Sequence, residues 1–92
     1  KIGKYGLMRH RYLKEHRPVL YNTMLLSGEL FKHLAEVNQQ ANELHDRLIK
    51  QMTAQAGINE QLKEQDQMAW VQQMNAIDAQ VRQIINHDLI YA

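Results

Sequence analysis

Leu30, Leu34, Val37, Ala41, Leu44 and Leu48 recur at alternating steps of four and three residues. That period lines one side of an α-helix with apolar side chains, in the manner of a coiled-coil seam. Phe31, Ile49 and Met52 widen the stripe. Gly57 follows the last apolar position, where glycine readily takes the left-handed conformation that ends a helix, and Ile58 stands where it would fold back on the last turn. The pattern predicts one long helix over 28–56. A second stripe, Trp70, Met74, Ile77, Val81 and Ile84, again alternates four and three, with Val71 and Ile85 beside it. Asn59 is placed to cap the segment that carries it. Gln65 and Asp66 occupy the place where an apolar residue is due between Leu62 and Met68, so the helical segment over 59–91 is expected to have a kink or short loop near 63–66.

Upstream the elements are shorter. Over about 4–16, Tyr5, Met8 and Tyr12 share one helical face, while Lys4, His10, Arg11, Lys14 and Arg17 fall on the arc opposite, with Leu7 and Leu13 flanking it. Pro18 ends this helix, because the residue before a proline is pushed out of the helical region, and it opens the next. That second helix, 18–26, carries Leu20, Tyr21, Met24 and Leu25, and stops at Ser27-Gly28, a serine able to cap the long helix beyond it. Together the elements predict an all-α chain in a single domain over 1–92. Two short basic N-terminal helices, 1–26, pack on a long antiparallel helical hairpin to make a small helical bundle.

A stripe of leucine, methionine and aromatic residues at helical spacing is ordinarily core. Leu34, Val37, Leu44, Leu48, Trp70, Met74, Ile77, Val81 and Ile84 are therefore assigned to the packed seam, with Trp70 at its centre. Apolar residues at 45% and charged residues at 23% describe a folded chain rather than a disordered one. In 92 residues, a hairpin and two short helices bury little, so the seam is also expected to serve a homodimer.

The net charge of +1 conceals an asymmetry. Residues 1–17 hold Lys1, Lys4, Arg9, Arg11, Lys14 and Arg17 against Glu15 alone, whereas the rest of the chain holds five basic side chains against nine acidic ones. A helix with a basic arc and interleaved tyrosines suits a row of phosphates. Lys4, Arg9, His10, Arg11, Lys14 and Arg17 are accordingly the candidates for contact with DNA or an acidic protein partner, and Arg9 and Arg11 are long enough to reach base edges. No helix-turn-helix spacing, glycine-rich phosphate loop or zinc finger accompanies them, and the ordinary reading of such an arc is the wet side of a first helix.

Reactive chemistry is sparse. The absence of cysteine removes disulfides, thiolate metal ligands and cysteine nucleophiles, and agrees with a reducing compartment. Ser27, the one serine, sits at a helix boundary, where capping suits it better than nucleophilic attack. Neither H-E-x-x-H nor E-x-x-H occurs. Glu43 and Asp46 form one E-x-x-D without the matching E-x-x-E that a helical magnesium site requires, and His33, His45 and His87 are scattered. We expect no enzyme, no metal, no cofactor and no small-molecule substrate. No apolar run approaches the ~20 residues that span a bilayer, so no membrane contact and a cytoplasmic location are expected.

The segments "GKYGLMRHRYLKEHRPVLY", "LLSGELFKHLAEVNQQA", "QMTAQAGINEQLKEQDQMAWVQQMN" and the closing "LIYA" resemble the TnpV proteins carried by transposons of Gram-positive bacteria. The likeness runs over essentially the whole chain. Its carriers are G-K-Y-G, R-x-x-Y-L-K-E-H-R, S-G-x-L-x-x-H-L and D-Q-M-x-W-V-x-x-M-N, which are specific in combination and weak singly. Family members usually carry a short stretch before G-K-Y-G, so further residues are expected ahead of Lys1. The resemblance implies a small accessory protein of a mobile element, with DNA or the element's recombinase as partner. It brings no catalytic residue or cofactor to any position. Two alternatives stand beside it. One is an inhibitor of a host defence nuclease or another host protein, with Glu29, Glu36, Glu43 and Asp46 mimicking DNA, although Lys32, Arg47 and Lys50 interrupt them. The other is a purely structural helical oligomer.

Overall fold

The computed structural model describes residues 2–92. Helix α1 spans Gly3–His16, α2 Pro18–Ser27, α3 Leu30–Ala56, α4 Glu60–Gln65 and α5 Gln67–Ile85, and a π-helical turn, Asn86–Ile90, comes directly after α5. Among the described residues there is no strand.

Local chemistry sets most of the breaks. Gly57 has φ 69°, and the Ile58 amide donates to the Thr53 carbonyl at 2.9 Å, which satisfies an end carbonyl of α3 and turns Ile58 into the core. The Asn59 Oδ1 accepts from the Leu62 amide at 2.9 Å and starts α4. The kink or short loop expected near 63–66 is a break at Asp66, which leaves the helical region and whose Oδ1 accepts from the Ala69 amide at 3.1 Å to start α5. Ser27 does not cap α3. Its hydroxyl donates back to the Met24 carbonyl, and Glu29 precedes α3 without a side-chain cap. The last turn does not continue as α-helix. It widens to π geometry and closes with the Tyr91 amide on the Asn86 carbonyl at 2.8 Å.

Helices α3 and α5 form the antiparallel hairpin, and α1 runs antiparallel along the N-terminal half of α3. The pairing of Tyr5 with Asn38 and of Arg9 with His33 gives this direction. Gly6 allows the close approach, since a Cβ there would stand 2.9 Å from the Leu34 carbonyl oxygen. One apolar cluster joins Tyr5, Val37, Ala41, Ile58, Ile77, Val81, Ile85 and Ile90, and a second joins Leu13, Leu30 and Leu34 beneath α2.

Two parts of the expected packing need correction. The packed face of α1 is Tyr5, Gly6, Arg9 and Leu13, not Tyr5, Met8 and Tyr12. Leu13 is fully buried, while Met8 and Tyr12 are half-buried. The face rotates because α1 touches both α3 and the π-turn, and each takes a share of its circumference. In the hairpin, Leu34, Val37, Ile77 and Val81 are buried as the stripe requires, but Ile85 takes the fully buried place and Ile84 is half-buried. There α1 joins the hairpin as a third helix and broadens the contact toward Ile85. Trp70 is not the centre of the core. With Leu44, Leu48 and Met74 it is half-buried along the hairpin. The molecule is correspondingly long and narrow, 55 × 20 × 17 Å.

Candidate nucleic-acid interface

The basic residues of the N-terminal segment divide into two groups once α1 is packed. Lys4, Arg11, Lys14 and Arg17 are exposed. None of them is in an ion pair among the described residues, where Glu15 approaches only His16, at 3.8 Å. Arg11 and Lys14 lie on the outward side of α1, and Arg17 stands at the α1–α2 junction. Lys4 is set apart at the start of the helix. Its Nζ lies 5.1 Å from the centre of the Tyr5 ring and borders a polar cleft with His45, Asp78 and Arg82. His10 is half-buried, stacked on Tyr21 with ring centres 5.6 Å apart and edge-on to Phe31.

Arg9 belongs to the interior. It is 7% exposed, and its Nη1 donates at 2.9 Å to the main-chain oxygens of both Ile90 and Ala92. Its Nε donates to His33 Nε2 at 3.3 Å. It therefore clamps the C-terminal turn to α1, which holds the side chain inward and away from a base edge. Burial lowers the Arg9 pKa from its ordinary value, with the Tyr12 phenol opposing and Arg17 adding to the shift; arginine nonetheless stays charged. Burial, and then the Arg9 charge, lower the pKa of His33, which suits a neutral ring accepting from a guanidinium. Tyr5 is raised, by burial first and then by Asp78.

Beside Arg11 lies an open cleft of about 400 Å³ lined by Met8, Arg11, Tyr12, Glu15, His16 and Tyr91. Tyr12 leans on Tyr91 and on His16, with ring centres 5.2 and 5.1 Å apart. Tyr91 is a site residue that the pattern along the chain does not signal, because the Arg9 clamp brings it to α1 from the far end of the sequence. The surface thus sets cations able to pair with phosphates next to flat aromatic faces, a combination suited to a nucleic-acid backbone and its neighbouring sugars and bases.

The rest of the chain offers little chemistry of another kind. Among the described residues, no group of three or more His, Asp or Glu side chains is arranged to hold a metal ion. No helix is long and apolar enough to cross a membrane.

A family described as transposon-encoded protein TnpV matches residues 1–90. The chain belongs to this TnpV family. The match takes in α1, α2, the whole hairpin and the π-turn, so the helical fold and the basic surface both lie within the TnpV segment. No curated protein and no solved structure matches the chain.

Proposed function

We propose that this transposon-associated protein is a non-enzymatic accessory factor that binds the DNA of its mobile element through the outward face of α1. The observation that carries the reading is the set Arg11, Lys14 and Arg17, three exposed cations with no carboxylate in an ion pair with them, beside the Tyr12–Tyr91 cleft. Such a surface contacts phosphates and so fixes position on the duplex more than it reads sequence. Choice of site would then rest on the recombinase or on DNA shape. Arg9 is no part of the contact, since it is buried and held against Ile90, Ala92 and His33. The nuclease-inhibitor reading gains nothing from the fold, because Lys32, Arg47 and Lys50 are exposed on the same helix as Glu36, Glu43 and Asp46.

The test is fluorescence anisotropy with duplexes from the element's ends and scrambled controls, across a salt series. Binding that weakens with salt and is lost in the Arg11→Glu, Lys14→Glu, Arg17→Glu variant, with the helical signal intact, supports the reading. Absence of binding at low salt, or binding that survives the triple change, rejects it.

A further inference from the structure

From Pro18 to Gly28 the chain has no charged residue, yet the helix within this stretch, α2, buries none of its residues. Tyr21 and Met24 lean on the Leu13–Leu30–Leu34 cluster. The opposite side carries Val19, Asn22, Thr23 and Leu26 at the i, i+3, i+4, i+7 positions of a helix-pairing seam. Val19 is 79% exposed and Leu26 87%, the most exposed large apolar side chain among the described residues. An apolar face this open on a small protein marks an interaction surface.

The details of the face favour one occupant. Next to the seam lies a shallow depression of about 470 Å³ lined by His16, Arg17, Pro18, Val19, Leu20 and Thr23. The depression lies where α1 ends and α2 begins, between His16 of α1 and Val19, Leu20 and Thr23 of α2, and Leu26, one turn beyond on α2, protrudes as an unused knob. Each copy therefore carries a depression at the start of α2 and a protruding Leu26 near its end, with Asn22 and Thr23 between them. The Thr23 hydroxyl is already bonded to the Val19 carbonyl at 2.8 Å. The Asn22 amide makes no hydrogen bond to another described residue, which leaves it able to pair with its own counterpart. The charges fit as well: Arg17 precedes α2 and Glu29 lies just beyond it, and neither is in an ion pair among the described residues. Antiparallel pairing sets Arg17 of each copy against Glu29 of the other.

We propose that α2 is a self-pairing helix. Two copies of this chain dock α2 against α2, antiparallel, about a two-fold axis at Asn22–Thr23, with Leu26 of each copy seated in the depression of the other. This is a closed, self-complementary contact, and it is separate from the hairpin seam. It does not rest on DNA binding, but the two share Arg17, so Arg11 and Lys14 alone report on the DNA contact.

Sedimentation equilibrium of the full chain at tens of micromolar tests the proposal. The expected mass is twice the 10.8 kDa of one chain. Leu26→Glu and Val19→Glu should each return the single-chain mass with unchanged far-ultraviolet circular dichroism, since both side chains point to solvent within one copy. Arg17→Glu alone and Glu29→Arg alone should weaken association several-fold, and the double exchange should restore it. A monomer at every concentration overturns the proposal and leaves the face to a different protein. A monomer that co-sediments with phosphatidylcholine vesicles overturns it in favour of a lipid surface. A dimer that survives Leu26→Glu places the interface elsewhere, and a double exchange no tighter than the single ones rejects the antiparallel arrangement.

Discussion

The Arg9 guanidinium donates to the Ile90 carbonyl oxygen at 2.9 Å, joining residues 81 positions apart in the chain. Its further acceptors are a main-chain oxygen of Ala92 and His33 Nε2. The buried cation in turn satisfies the main-chain oxygen of the buried Ile90, at a place that α1 shields from water. Arg9→Ala should lower stability by about 1.5–3 kcal/mol, the range for losing a hydrogen bond to a charged group. Arg9→Lys should recover only part of this, because an ammonium lacks the planar fork that reaches three acceptors. Urea denaturation of the three proteins checks both statements.

The same contact makes stability depend on pH. His33 Nε2 accepts from Arg9 only while it is unprotonated, and burial and the Arg9 charge lower the His33 pKa in the folded protein, with Glu36 opposing them. The unfolded chain, with His33 near its ordinary value of about 6.5, binds the proton more readily. Stability therefore rises with pH between the folded and unfolded values, is fully present above about 6.5 and is lost as pH falls through the interval below it. His33→Gln, which keeps an acceptor that does not titrate, should flatten this part of the profile. Denaturation midpoints between pH 5 and 8 for both proteins provide the comparison, and equal slopes would remove His33 from the account.

Legibility tracks the reach of the interactions. Gly57, Ile58, Asn59 and Asp66 act on residues three to five positions away, so the end of α3, the start of α4 and the break before α5 are readable from spacing alone. The hairpin stripe is equally local in origin, and Leu34, Val37, Ile77 and Val81 lie where its period puts them. Arg9 is different. On α1 it looks like one more cation of a wet face, and only contacts with Ile90, Ala92 and His33 turn it inward. The place of Leu13 in the core and of Tyr91 in the site are hidden for the same reason. Each depends on a helix that arrives from elsewhere in the chain.

Burial differs enough along α5 to separate core from edge. Val81 is fully buried in the cluster with Ala41 and Ile85, whereas Met68, 13 positions earlier in the same helix, is 72% exposed. Val81→Asp places an unpaired carboxylate where no described donor awaits it, which should abolish cooperative folding. Met68→Asp should shift the melting temperature by no more than a surface substitution does, within about 0.5 kcal/mol. Thermal melts recorded by circular dichroism separate the two. Equal effects would mean that α5 is rotated about its axis and that Val81 does not face Ala41.

Arg9 and Arg11 are two residues apart, yet the fold assigns them opposite work, and DNA binding offers a way to tell them apart. If Arg11 and Lys14 each neutralise one phosphate, removing either should reduce the slope of log affinity against log salt by about 0.9, and removing both by about twice that. Neither change should alter stability by more than about 0.5 kcal/mol, since both side chains are exposed. Arg9→Ala should do the reverse, lowering the melting temperature while leaving the salt slope of the protein that remains folded unchanged. Anisotropy titrations at four salt concentrations, run well below each variant's melting temperature, measure the slopes. A slope that falls with Arg9→Ala but not with Arg11→Ala would move the DNA contact off the outward face of α1.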